Sequence, residues 1–514
     1  MSEDAAAGAG RGGDGGGRAG DGACEPFPGW AEPGRLNGVD TLMWRAGRHR
    51  LGQVDTVQVW VLDGVPEQDR LQRCFEWAVR KAPRLTQRVI DPVLQVGSAV
   101  WAPDPMFRLS NHLRRVRLAA PGGLRELLDL AEWQADQPLD PTRPPWLAVL
   151  AEGYEGDKAA LILRNHHSLT DGMGLVFLQR HLVSLRPDAQ APPCRPRALA
   201  PLTDAAPAAH TSWSTRLKAN ADVVGRDARQ ALRFLGHQAQ RLRTDPVRAA
   251  ELPGRLARSA LQVRHLAVSG GSPLLRNRER QRRFEVIEFP SAALRQAAAT
   301  VDGDTTAACV AAVCGGFAAY HRHYDSTAEA LSVAIPVNQR DRGQNGPGSH
   351  VSALHLQAPL GRAEPAERLR AMHDLLGRAR RDHANLTPVL AGIGSWIYGP
   401  LLTACAPAAA RRIDAWVTIA PGGRRRPEYL AGARLLRVFA LGPAGASACN
   451  ATLVLHQDTC TLALNLDPAA ITDVPLLCRL INDSIQDTFA TTARASCVPA
   501  GTDDRRADAP SAGR

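Results

Sequence analysis

Residues 164–174 read RNHHSLTDGMG, and they close an apolar run, AALILRNHH, that begins at Ala159. The run has the composition of a strand, polar only at its C-terminal end. A strand sends successive side chains to opposite faces, so His166 and His167 cannot both enter one cleft while it stays regular. One imidazole can meet a reacting group; the other turns inward or holds neighbouring backbone. Ser168, Leu169 and Thr170 read as a loop, and Asp171-Gly172 suits a tight turn. Gly172 and Gly174 leave room for a substrate to approach the backbone. MGLVFLQRHLVSL follows as a helix with an apolar face.

Outward from this strand–loop–helix unit the chain keeps alternating. VDTVQVWVLDG (54–64) and WLAVLAEG read as strands. PEQDRLQRCFEWAVRKAP (66–83) is a helix with Leu71, Phe75, Val79 and Ala82 on one face and a proline at each end. In PGGLRELLDLAEWQADQPLD, Leu124, Leu127, Leu128 and Ala131 share a face. A second stretch holds strands at FEVIEFP, ALSVAIPVNQR, ARLLRVFALG, NATLVLHQD and TCTLALNLD, the last two joined by a turn near Asp458. It also holds a small-residue helix, TTAACVAAVCGGFAAYHRHY, and closes on VPLLCRLINDSIQDTFATT. The fold class is therefore α/β, with α+β as the near variant.

Gly/Ala/Asp/Arg low complexity over 1–34 and a similar stretch over 491–514 predict disordered tails. Between them lie a first folded unit over 35–190, a linker over 191–283 and a second unit over 284–490. The linker is Pro-rich at 191–209. It then places Trp213, Leu217, Val224, Ala228, Leu232, Leu235, Ala239 and Leu242 at near-helical spacing among Arg and Lys. That basic amphipathic helix either crosses over between the units or lies on a membrane surface.

A chain of 514 residues suits two domains, and a 44% hydrophobic content supplies a sizeable core. The formal charge of +11 is spread rather than blocked, and Arg replaces Lys almost everywhere, so no nucleic-acid partner is expected. Anions such as cofactor phosphates or an acidic membrane face fit better. The 10 cysteines show no zinc spacing, so no metal is expected, and reduced thiols point to a cytoplasmic setting. The opening residues carry no secretory signal, and no run of about 18 apolar residues would span a bilayer.

A neutral imidazole is the natural general base for removing a proton from an alcohol or amine. No Gly-x-Ser-x-Gly elbow accompanies it, GIGSWIYG (392–399) fails the dinucleotide spacing, and no P-loop occurs. Direct transfer to a histidine-deprotonated acceptor from an already activated donor survives this elimination.

HHSLTDG resembles the HHxxxDG motif of the CoA-dependent acyltransferase superfamily, and the chain looks most like the bacterial wax ester synthase/diacylglycerol acyltransferase family. RLNGVDTLMWR, FRLSNHLRRVRLAAPGG, IPVNQRDRG, VSALHLQAPLG, PEYLAGARLLRVFALGP and NATLVLHQDTCTLALNLDP carry the resemblance over roughly 35–490. So does PLDPTRPPW, where Pro145 replaces the family's leucine before Trp146. The resemblance implies two chloramphenicol acetyltransferase-like lobes with a tunnel between them. It implies His167 as the base, with His166, Asp171 and Gly172 supporting the motif. Asp171 invites a triad reading, in which it orients His167; the resemblance implies instead a brace to Arg340. Acyl-CoA is implied as co-substrate with no further cofactor, and diacylglycerol or a long-chain alcohol as acceptor. Peripheral association with the inner membrane face or a lipid-droplet surface is the matching expectation. A carrier-bound donor, a secondary-metabolite acceptor, or lipid binding without turnover are the alternatives. Two departures bear on them: Thr306 and Ala307 replace the family's Asn-Asp, and Ile419-Ala420-Pro421-Gly422-Gly423 replaces Asn-Val-Pro-Gly-Pro.

Overall fold

The computed structural model describes residues 25–31, 34–47, 54–92, 97–189, 240, 271–340, 346–361, 364–382, 411–423 and 426–495. In chain order the first half holds α1 (Gly38–Ala46), β1 (Asp55–Leu62), α2 (Gln68–Lys81), β2 (Gln87–Ile90), β3 (Val100–Pro103), β4 (Leu113–Arg117), α3 (Leu124–Asp136), β5 (Trp146–Tyr154), β6 (Lys158–His166) and α4 (Gly172–Leu182). The second half holds β7 (Arg283–Pro290), α5 (Ser291–Ala299), α6 (Thr305–His323), β8 (Ala330–Asn338), β9 (Val351–Pro359), α7 (Pro365–Asp382), β10 (Ala415–Pro421), β11 (Tyr429–Leu430), β12 (Ala433–Leu441), β13 (Cys449–His456), β14 (Thr459–Leu466) and α8 (Val474–Ala495). The basic amphipathic pattern at 213–242 falls outside the described residues apart from Gln240, as do 1–24 and 496–514 of the expected tails; the rest of those tails is partly described, with Trp30 buried in the first core and 491–495 ending the last helix.

Two six-stranded mixed sheets organise the chain, ordered β11-β12-β1-β6-β5-β4 and β7-β14-β13-β10-β8-β9. Alternation along β1 and β6 feeds both faces of the first sheet. Trp60, Leu62, Ala159 and Leu161 pack with Leu71 and Phe75 of α2, whereas Val57, Val59, Ala160 and Ile162 pack with Leu127, Leu128 and Ala131 of α3. The second of these clusters also takes in Phe284 of β7 and Ala463 of β14, so the two sheets share buried surface.

The second sheet is covered by α5, α6, α7 and α8. The small residues of α6 have a steric reason. A Cβ on Gly315 would stand 2.1 Å from Ser484 Oγ, and one on Gly316 would stand 2.6 Å from the Ile481 Cα. Only glycine lets α6 and α8 approach that closely. A buried ion pair, Arg278 to Asp414 at 2.8 Å, ties the start of the second half to β10, and Asp414 also accepts from the Ser272 and Ser332 amides.

Strands β11 and β12 lie late in the chain, yet they complete the first sheet. β12 runs antiparallel to β1, pairing Val57 with Leu441 and Val59 with Phe439. Every described cysteine is a free thiol. Among the described residues no helix is long and apolar enough to cross a membrane.

Candidate active site

β6 ends at His166, and its antiparallel pairing with β1 sets Asp55 opposite His166. The chain then leaves the strand while keeping one more tie, His167 N–H to the Val54 carbonyl at 3.1 Å, and turns through Leu169 N–H to the His166 carbonyl at 2.9 Å. Asp171 is the N-cap of α4, accepting from Gly174 N at 3.0 Å. This differs from the tight turn expected at Asp171-Gly172. Gly172 is already the first helical residue, and a capping carboxylate makes the bend. Gly174 also serves a different purpose from the one expected. A Cβ there would fall 1.8 Å from Thr170 Oγ1, so its missing side chain is filled by the loop rather than left for a substrate. Beside Gly172 nothing stands within 4 Å of a built Cβ.

The two imidazoles diverge. His166 is buried; its Nδ1 meets Ser168 Oγ at 2.8 Å and accepts from the Ser168 amide, and its ring lies edge-on to Trp44 with centroids 5.0 Å apart. His167 is half-buried. Its Nδ1 meets Ser349 Oγ at 3.1 Å, a residue from the 346–350 connection that leads into β9. Burial holds the His167 imidazole below its ordinary value of 6.5, against the opposing pull of the Asp171 charge. The ring is thus neutral at neutral pH.

Asp171 does not orient that ring. Its oxygens accept from Arg340 Nε at 2.9 and 3.2 Å, from Gly174 N and from His350 N at 3.0 Å. Arg340 spends its other nitrogens on the carbonyls of Gly346, at 2.7 Å, and Gly348, at 2.6 Å. A parallel bridge between Thr170 and Gly348 completes the seam. The HHSLTDG segment beside the first sheet, and residues 338–340 and 346–350 beside the second, are therefore stitched together around one buried ion pair.

Three polar residues that sequence reasoning did not single out belong to this seam. Ser349, Asp40 and Asn37 meet across it: Ser349 N–H donates to both Asp40 oxygens at 3.1 Å, and Asn37 Nδ2 donates to the Ser349 carbonyl at 3.0 Å. Burial pushes the Asp40 carboxyl up to about 7, with the Ser349 hydrogen bonds and Arg84 pulling the other way. Asn37 carried one legible signal, as an N-cap before an apolar run; Ser349 carried none.

Other positions sit further off. Trp146 packs in the first core, stacked on Phe75 and His112, with its indole N–H on the Leu85 carbonyl at 2.7 Å. The amides of Thr306 and Ala307 are both capped by Asp304 Oδ1 at the start of α6. Gly422 lies so close to Leu455 that a Cβ would meet its carbonyl oxygen at 1.3 Å. The stretch Ile419–Gly423 is thus pressed against the end of β13.

Known proteins resemble this chain over both of its halves. The family profile described as the wax ester synthase/diacylglycerol acyltransferase catalytic domain matches residues 36–308, and that of the WS/DGAT C-terminal domain matches 347–488. A Mycobacterium tuberculosis protein with the provisional name diacylglycerol O-acyltransferase is 30% identical over 465 residues, covering 88% of this chain and 91% of its own. A second from that organism is 28% identical, covering 90% and 98%. Among solved structures, a wax ester synthase/diacylglycerol acyltransferase from Marinobacter aquaeolei superposes with a TM-score of 0.58 at 19% identity, covering 89% of this chain and 100% of that one. The first condensation domain of the CDA synthetase reaches 0.55 at 18% identity, covering 90% and 97%, which speaks to the fold alone.

Proposed function

The chain belongs to the wax ester synthase/diacylglycerol acyltransferase family, and from that premise we propose that it moves a fatty acyl group from acyl-CoA to the hydroxyl of a diacylglycerol or a long-chain alcohol. The observation that carries the reading to residues is His167: half-buried, neutral by desolvation, and set at the seam between the two sheets. In this reading the imidazole takes the acceptor hydroxyl proton as the oxygen attacks the thioester carbonyl. The tetrahedral intermediate collapses, the carbon–sulfur bond breaks, and the imidazolium returns the proton to the leaving thiolate. Products are the ester and free CoA thiol. Asp171 and Arg340 brace the segment that presents the base, and the open space beside Gly172 fits an approaching substrate. His166 supports through Ser168 and Trp44.

The test is thiol release from palmitoyl-CoA with hexadecanol or dioleoylglycerol as acceptor, with lipid products separated in parallel. Acceptor-dependent release that disappears in a folded His167→Ala protein is expected. Release unaffected by His167→Ala would overturn the assignment of the base. No release with either acceptor would point to a carrier-bound donor or another acceptor. Peripheral membrane association belongs to the same proposal, supported by the basic amphipathic pattern at 213–242. Protein that stays at the bottom of a low-salt flotation gradient with anionic liposomes would remove it.

A further inference from the structure

Ser349 sits against the proposed base under unusually tight restraint. Its peptide is gripped by α1: the N–H by Asp40, the carbonyl by Asn37, which itself caps α1 by accepting from Asp40 N at 2.7 Å. The preceding Gly348 adopts φ +86, and a Cβ there would crowd Asp40 Oδ2 at 3.0 Å. Held this way, the Ser349 hydroxyl lies 3.1 Å from His167 Nδ1 and 3.1 Å from the His167 carbonyl.

A hydroxyl has one proton and accepts through its lone pairs. A backbone carbonyl only accepts, so the contact to the His167 carbonyl takes the hydroxyl proton. An ionised Asp40 carboxylate, the other acceptor in reach, would take it equally and also only accepts. Either way the lone pair facing the ring must receive a proton from Nδ1.

We propose that Ser349 is the positioning residue that fixes the tautomer of His167: its Oγ accepts from Nδ1–H, and Nε2 is left unprotonated as the nitrogen that removes the acceptor's proton. This rests on the reading of His167 as the general base. Free neutral imidazole populates both tautomers, and any fraction carrying its proton on Nε2 cannot act as base from that nitrogen. The lobe that lacks the HHxxxDG segment thereby supplies the group that sets the base, and closure of the seam and readiness of the base become one event. When Nε2 takes the acceptor's proton, Nδ1–H keeps its acceptor, so the imidazolium forms without rearranging Ser349.

The experiment is long-range proton–nitrogen correlation of the histidine rings in full-length protein labelled with 15N-histidine. His167 is assigned by its absence in His167→Gln. Spectra are recorded above the Asp40 value of about 7, where the carboxylate only accepts. The expected result is a single Nδ1–H tautomer for His167. An Nε2–H tautomer in the wild-type chain would overturn the proposal outright, with no variant needed. Ser349→Ala is expected to mix the tautomers and lower kcat by about tenfold to a hundredfold, part of the roughly 10²–10⁴-fold that a positioned base contributes, with KM little changed. Should that variant fold poorly, the near-isosteric pair Ser349→Thr and Ser349→Val replaces it; Thr keeps the tautomer and most of the rate, Val loses both. Equal tautomer distributions in Thr and Val would overturn the role of the hydroxyl. The two readings fail separately, because the spectrum reports the tautomer even if His167→Ala retains full activity.

Discussion

Replacing Arg340 by Ala removes the guanidinium that pairs with Asp171 across the seam. Both side chains are nearly inaccessible, at 4% and 1% exposure, with Nε 2.9 Å from Oδ2. Two unit charges about 4 Å apart interact by roughly 4 kcal/mol at an effective dielectric of about 20. Stranding one member of a buried pair typically costs about 3–5 kcal/mol. Asp171 would keep only the amides of Gly174 and His350, and the carbonyls of Gly346 and Gly348 would lose their donors. Arg340→Ala should therefore lower unfolding stability by about 3–5 kcal/mol. Asp171→Asn keeps an oxygen for the Gly174 cap and strands the arginine instead. In the double variant no charge is stranded, so its cost should fall short of the sum of the singles by at least about 2 kcal/mol. Urea unfolding followed by tryptophan fluorescence gives all three values. Strictly additive effects would refute the brace. Activity of the folded Asp171→Asn protein supplies the second reading. A catalytic carboxylate orienting the base would cost about 10⁴ in kcat, whereas a brace leaves the folded fraction within roughly tenfold of wild type.

Three further outcomes follow from the same geometry. Because burial lowers the His167 value, the acid limb of kcat/KM should fall below 6.5, activity holding at neutral pH and lost only as the ring protonates; a limb above 6.5 would contradict the half-buried, neutral base. Asp40 has its folded value raised from 3.8 to about 7, so its contribution to stability is full below 3.8 and is lost as pH rises through about 7; thermal melts of Asp40→Asn relative to wild type should gain between those limits, and a pH-independent difference would refute this. Gly174→Ala should destabilise through the Thr170 hydroxyl, with Thr170→Ala restoring part of the loss in circular-dichroism melts; no rescue would place the strain elsewhere.

Much of the fold was legible because it is local. The period of Leu71 and Phe75 in α2, and of Leu127, Leu128 and Ala131 in α3, is written within single helices; Ala78 rather than Val79 completes the buried face of α2. The family resemblance lay in contiguous motifs, and the profile matches over 36–308 and 347–488 rest on the same contiguity. The turn chemistry was less legible: Asp171-Gly172 has the composition of a turn, but the Gly174 amide recruits Asp171 as a helix cap. Gly174 looked like open space and is packing space, because only the folded loop brings Thr170 beneath it.

By itself the sequence determined the strand–loop–helix carrying His167 and the divergence of the two imidazoles, since both follow from the period-two geometry of a strand and from residues within ten positions. Tertiary structure alone decided which sheet receives β12, because ARLLRVFAL pairs with β1 across several hundred residues and its alternation is equally suited to either sheet. It alone decided what stands behind the base. Ser349 has no periodicity or motif to mark it; it becomes a partner of His167 only when α1 grips its peptide and the buried Asp171–Arg340 pair draws the two segments together. Contacts between distant segments are set by burial and by the cost of leaving charges unpaired, and those quantities exist only once both surfaces have met.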